Sequence, residues 1–407
     1  MTEHSAEGRV ASVQFTGTRG ELLGILFRGY LLMIPTIGIY RFWNVTWKRR
    51  FYWHNTVIDG DPLEYTGHAI QLLIGFLFAL AFFLPIYLGF FYLSTQSPQV
   101  ALIGYSIVGA VLWYLMGYAI YRARDFRLSR TLWRGIRFDQ KGSAWGYANR
   151  RFGWSILMVL TVGLVYPFMV GNLFRYRYLN SWYGDRKFDF TGSWRNVAGP
   201  FYLVYFSVAV LTVVTFGYLF GANAFVRVDD AYLPRGEVWL MGILIGLVLF
   251  VGIYFYRSRV TSRMFSSIRI GDAGVIVKVR ARSMIGQLIL YVLALIGAGF
   301  GLLVIGSMLF TSFMATAMAD GQFTPADLGG MFQTSWITAA VAILGYLAVL
   351  AVIAVLGEII LGFGYWMLVA RGAIITNADS LMTVRATAED LTLHGEGLAD
   401  ALNVGAY

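Results

Sequence analysis

Apolar residues in this chain gather into long uncharged runs separated by short, strongly polar segments. The runs cover 69–93, 97–121, 152–174, 196–226, 238–256, 283–319 and 328–357. About 20 apolar residues suffice to cross about 30 Å of hydrocarbon. A membrane-spanning β-barrel would instead show alternating segments of about 10 residues. The pattern therefore predicts an all-α polytopic membrane protein. Its hydrophobic segments lie at 22–41, 69–93, 97–121, 152–174, 199–221, 238–256, 285–310 and 336–370.

The polar segments repeat. NTVIDGDPLEYTG, from Asn55 to Gly67, returns as NSWYGDRKFDFTG, from Asn180 to Gly192. Phe27, Arg50 and Phe76 return at the same offset as Phe152, Arg175 and Phe201. A fainter third copy opens with RSMIGQLILYVLALIGAGF. The reading is of tandem units: an N-terminal tail 1–14, unit one 15–139, unit two 140–270, a degenerate unit three 271–390 and a cytoplasmic C-terminal tail 391–407. Each unit carries short strand-like pieces that stop at Gly: VQFTG, LEYTG, IRFDQKG, FDFTG, IRIGDAG and LTLHGEG. Brief alternation ending at a turn residue marks a short strand. These pieces predict small cytoplasmic sheets attached to the helices.

Charge bears on the number of spans. If all eight segments cross, Lys and Arg divide almost evenly between the two sides. If segments 22–41 and 152–174 are re-entrant or interfacial and six cross, only Arg227 and Arg235 of the 32 Lys and Arg fall on the far side. Lys and Arg favour the cytoplasmic side, so six full spans plus two re-entrant segments is the expectation, with eight spans as the alternative. Segment 22–41 is interrupted by Arg28, and Pro35 and Gly38 break its helix. Residues 152–174 are long enough to cross and favour the alternative.

Composition agrees with the class. The chain is 58% hydrophobic and only 13% charged, with a mean hydropathy of +0.63. No cleavable signal peptide is expected from the polar residues 1–20, and the absence of cysteine excludes disulfides. The net charge of +10 is expected to meet anionic lipid headgroups on the cytoplasmic face, not nucleic acid.

Candidate chemistry is sparse. Glu358 is an acid inside an apolar segment, which makes it a functional candidate by default; Arg28 is the corresponding base. The stretch YRFWNVTWKRRFYWHN and its counterpart FRYRYLNSWYGDRK combine aromatic and basic side chains at helical spacing. Trp43, Trp47, Lys48, Arg49, Arg50, Arg175 and Arg177 are thus candidates for lipid or phosphate contact, beside the alternative of plain interfacial packing. A run of arginines places Arg127, Arg130, Arg134 and Arg137 on one helical stripe. Asn55, Thr66, Gly67, Asn180, Thr191 and Gly192 recur as loop positions whose residue types suit turns. His54, His68 and His394 have no metal-ligand spacing, and no hydrolase, metalloprotease or phosphate-loop motif occurs. No enzyme activity, cofactor or metal is expected.

FTGTRGELLGILFRGYLLMIPTIGIYRFWNVTWKRRFYWHNT followed by LEYTG, together with the terminal HGEGLADALNVGAY, resembles the YjgN-like family of bacterial inner-membrane proteins. Where the family usually has Asn in the first segment, this chain has Arg28-Gly29. The resemblance implies a Gram-negative inner membrane and supplies no substrate, cofactor or catalytic residue. The functional expectation is transport or lipid handling. The alternative is a membrane scaffold or regulatory subunit for a protein partner.

Overall fold

The computed structural model describes residues 8–221, 224–228, 231–319 and 336–387. The expected tail 391–407, the strand expected at Leu391 to Gly397 and the linker from Asp320 to Gly330 lie outside them.

Short strands and helical hairpins alternate along the chain. Strand β1 (Ala11–Phe15) leads into α1 (Arg19–Met33) and α2 (Arg41–His54). Then come β2 (Thr56–Ile58), β3 (Asp61–Tyr65), α3 (Ala69–Gln96) and α4 (Pro98–Ser129). β4 (Thr131–Trp133) and β5 (Ile136–Gln140) precede α5 (Ala144–Leu160) and α6 (Tyr166–Leu179). β6 (Ser181–Tyr183) and β7 (Arg186–Phe190) precede α7 (Arg195–Gly221). A small hairpin, β8 (Phe225–Val228) with β9 (Ala231–Pro234), joins α7 to α8 (Gly236–Phe265). β10 (Ile268–Ile270) and β11 (Ala273–Val277) lead into α9 (Ala281–Ala319). The last helix runs Trp336–Leu356, passes through a π-helical turn, Gly357–Gly362, and continues as Phe363–Arg371 before β12 (Ala373–Thr376).

Ten of these strands close into one antiparallel barrel in the order β1-β12-β11-β10-β7-β6-β5-β4-β3-β2. This overturns the expected all-α architecture with small strand elements. The reason is length. β2, β4 and β6 have three residues each, too few to show an alternation, and a lone two-stranded hairpin is marginal at best. Ring closure leaves no open edge. The hairpin turns follow from local chemistry: Asp59-Gly60 and Arg134-Gly135 all adopt positive φ, the geometry of tight hairpin turns that match strand twist.

The five connections at the helix-bearing rim are made alike. Thr16 N–H donates to Asn55 O at 3.0 Å, Thr66 to Arg130 at 2.9 Å, and Lys141 to Asn180 at 2.8 Å. Thr191 donates to Ser267 at 3.0 Å, and Lys278 to Gly372 at 2.8 Å. Between successive hairpins, a buried hydroxyl ties one helix to the next. Thr56 Oγ1 donates to Tyr52 O and accepts from Trp366 Nε1; Thr131 Oγ1 donates to Arg127 O and accepts from Trp53 Nε1. Ser181 Oγ donates to Arg177 O and accepts from Arg124 Nη1.

The barrel is filled, not hollow. Ile58, Trp133, Tyr183, Ile270 and Ile375 occupy corresponding strand positions and pack together. Leu381 and Val384, in and after a short 3-10 turn (Ala378–Thr383), close the end bearing the hairpin turns. Tyr183 is 1% exposed, and its hydroxyl donates to Trp133 O at 3.0 Å. Burial pushes this phenol up to about 12.

Among the described residues, six helical stretches are long and apolar enough to cross a membrane: Ala69–Gln96, Pro98–Ser129, Arg195–Gly221, Gly236–Phe265, Ala281–Met308 and Ile343–Arg371. Segments 22–41 and 152–174 fold differently, each as two short helices joined by a tight turn. Gly38 N–H donates to Met33 O at 2.8 Å, and Gly163 N–H to Met158 O at 2.7 Å. The residue before each glycine, Ile37 or Val162, also has positive φ.

Candidate functional site

Where α2 and the last helix meet above the barrel mouth, the side chains enclose a cavity of about 420 Å³. That is within the range of small-molecule pockets. α2 contributes Lys48, Arg49 and Tyr52; α4 contributes Arg127; the last helix contributes Glu358 and Trp366. Three cations and one acid thus line the same cavity. α2 starts directly after the Ile34–Tyr40 turn, so its charged face is carried down onto the barrel mouth.

Glu358 is the pivot of the site. Its Oε2 accepts from Lys48 Nζ at 2.9 Å and its Oε1 from Tyr52 OH at 2.9 Å. It lies in the π-helical turn, a distortion that recurs at functional sites. Gly362 leaves room for it, since a Cβ there would come within 3.1 Å of Glu358 Oε1. A second cavity of about 220 Å³ adjoins, with Arg257, Gln287 and Tyr254 in its wall. Glu358 and Tyr365 line both cavities. Arg49 is 8% exposed; its Nη1 donates to Tyr65 OH at 3.0 Å. The Trp366 and Trp53 indoles are oriented by their bonds to Thr56 and Thr131.

Of the residues singled out in the sequence, the fold brings together Glu358, Lys48 and Arg49. Arg28 is exposed on α1, and Glu358 takes Lys48 as its ionic partner at 2.9 Å. Trp43 is half-buried and stacks on Tyr40; Trp47 is exposed beneath the Arg50 guanidinium. Arg50 donates to Gly67 O at 3.2 Å, Arg175 is exposed, and Arg177 lies half-buried over the Phe174 ring. Asn55, Thr66, Asn180 and Thr191 make the rim bonds described above. Gly67 and Gly192 pack against Tyr65 and Phe190. The arginine stripe is dismantled: α4 ends at Ser129, so Arg127 faces the cavity, Arg134 sits in a hairpin turn and Arg137 lies in β5.

Sequence reading missed Tyr52, Trp366, Arg257 and Gln287. Trp366 lies further along the same helix as Glu358, but Tyr52, Arg257 and Gln287 come from α2, α8 and α9, and no spacing in the sequence links those helices to Glu358. Among the described residues no cluster of His, Asp and Glu suits a metal ion.

A family model described as "Bacterial protein of unknown function (DUF898)" matches residues 10–401. The chain belongs to the DUF898 family. This is the family of the YjgN-like membrane proteins, as the opening and closing motifs of the sequence implied. With its six apolar helices, membership makes the chain a multi-pass protein of the bacterial inner membrane. No curated protein and no solved structure matches it.

Proposed function

We propose that this DUF898 member handles anionic amphiphiles, holding their headgroups in the chamber beside Lys48, Arg49 and Arg127. The observation that carries this reading is three cations and one carboxylate lining a single cavity at the junction of barrel and apolar helices. Basic pockets between membrane helices suit lipid headgroups, and guanidinium groups suit phosphate and carboxylate oxygens. The barrel and both termini are assigned to the cytoplasm, because the barrel side carries nearly all the Lys and Arg. The chamber favours handling of a ligand over a scaffold role, and the chemistry needs no enzymatic step or cofactor.

Native mass spectrometry of the detergent-purified protein tests the reading. Anionic phospholipid is expected to remain bound after delipidating washes, and Arg127→Gln is expected to lower its occupancy several-fold. Zwitterionic lipid retained equally well, with no effect of Arg127→Gln, would sink it.

A further inference from the structure

We propose that the chamber is loaded from within the bilayer, by a phospholipid whose anionic head sits beside Lys48 and whose acyl chains leave over the top of the α1–α2 hairpin. This rests on the headgroup reading above and adds the kind of ligand and its route.

The helical hairpins around the barrel rim differ in height. Three contain the six helices long enough to cross. The other two do not reach far. In α5–α6, nine uncharged residues, Phe152 to Leu160, lie between Arg151 and the turn; at 1.5 Å per residue they rise about 14 Å. In α1–α2, only five residues, Gly29 to Met33, follow Arg28 before the helix ends, a rise of about 8 Å. Both fall within one leaflet of a core about 30 Å thick. Of the described helices, ten therefore leave the barrel, and six are long enough to continue into the far leaflet.

The two turns carry a mark of immersion in hydrocarbon. Ile37 and Val162 take φ of 49° and 52°, where β-branched residues are strained and Asn, Asp or Gly are the ordinary choice. They are also 94% and 78% exposed. Polar tips would relieve the strain in water. In hydrocarbon a bare amide costs several kcal/mol, more than the strain. The same residue class at both turns fits tips that face acyl chains.

The long helices leave room for those chains. Between 0 and 22% of the residues in their apolar stretches are buried within the protein. They do not pack into a solid bundle, and the bilayer must cover what they leave bare. The lower of the two walls stands next to the chamber, since α2 itself supplies Val45, Lys48 and Tyr52 to it. In ring order that wall lies between the last helix and α3. Arg28 is exposed near its lip.

The test uses the full chain in nanodiscs containing phosphatidylglycerol with a diazirine at the end of one acyl chain. Crosslinks are mapped by peptide mass spectrometry, with soluble glycerol 3-phosphate binding measured in parallel. Crosslinks are expected to concentrate on residues 34–39 and the adjoining faces of α3 and the last helix, and to fall several-fold in Arg127→Gln. The wild-type map alone decides the route should that variant fold poorly. Crosslinks spread evenly over all apolar helices, with Arg127-dependent binding of glycerol 3-phosphate, would overturn the bilayer route and leave the anion site standing. Even crosslinks with no Arg127-dependent binding of either probe would overturn both.

Discussion

Lys48 and Glu358 lie 310 positions apart in the chain and 2.9 Å apart in the fold. Their side chains are 23% and 13% exposed, so either charge left alone stays largely desolvated. Lys48→Met is expected to cost about 2 kcal/mol, below the values for breaking a fully buried pair because some water reaches the site. Glu358→Gln added to it should recover most of that loss, since the orphaned charge is then gone. Thermal unfolding in detergent of the two single variants and the double variant measures the coupling; strictly additive losses would show that the two groups do not act as a pair.

Gly117 on α4 allows the α4–α5 crossing. A Cβ there would stand 2.8 Å from the Ala148 Cα, a contact with backbone that no rotamer relieves. Helix propensity favours Ala over Gly by about 1 kcal/mol, whereas overpacking costs about 1–3 kcal/mol. Gly117→Ala is expected to lower the melting temperature on balance. A raised melting temperature would mean that the two helices do not cross this closely.

Alkaline pH should loosen the barrel through Tyr183. Its phenol is raised from 10.0 to about 12 in the fold. Below pH 10 the phenol is neutral folded or unfolded, and the stabilisation is complete. Between pH 10 and 12 only the unfolded chain loses the proton, so stability falls as pH rises. Tyr183→Phe should lack this increment and show a shallower decline in denaturant midpoint over that window. It should also start about 1 kcal/mol lower from loss of the bond to Trp133.

Thr66 and Thr191 both bond across the helix-bearing rim of the one barrel, so both lie on the same side of the membrane. The chain has no cysteine, so Thr66→Cys and Thr191→Cys each carry a single label site. Both are expected to resist an impermeant maleimide in intact cells and to react once the membrane is opened. Labelling of one but not the other in intact cells would break the single-barrel arrangement.

The helical content was legible because apolar runs longer than 20 residues have few other uses. The break in segment 22–41 was legible through Arg28 and Pro35; the break in 152–174 was not, because its uncharged length favoured a full span, and only the distribution of Lys and Arg pointed the other way. The barrel was not, although β1, β3, β5 and β7 overlap the pieces VQFTG, LEYTG, IRFDQKG and FDFTG, and β10 opens IRIGDAG. Their partners are tripeptides such as Thr56–Ile58, and β12 (Ala373–Thr376) looks like the tail of a hydrophobic helix. The 125-residue repeat spans two helical hairpins, one short and one long, which concealed that the rim bonds recur at every hairpin. Glu358 stood out as a charge in an apolar run. Its setting did not, because Tyr52 and Arg127 are ordinary interfacial residues until ring closure places them opposite it.

The closure of the barrel has a consequence for how the protein is made. β1 is completed at Phe15, yet one of its two neighbours, β12, begins at Ala373. A chain emerging from its N-terminus must hold an unzipped arc of strands, open at both edges, until the last helix has been placed. Such edges invite pairing with other chains, and contacts so distant in sequence form slowly. The helices, inserted in turn, keep successive strands tethered side by side at the membrane surface, and the seam between β1 and β12 is the final stitch. Chains cut short before Ala373 should therefore accumulate as inserted but protease-sensitive species, whatever the condition of their helices.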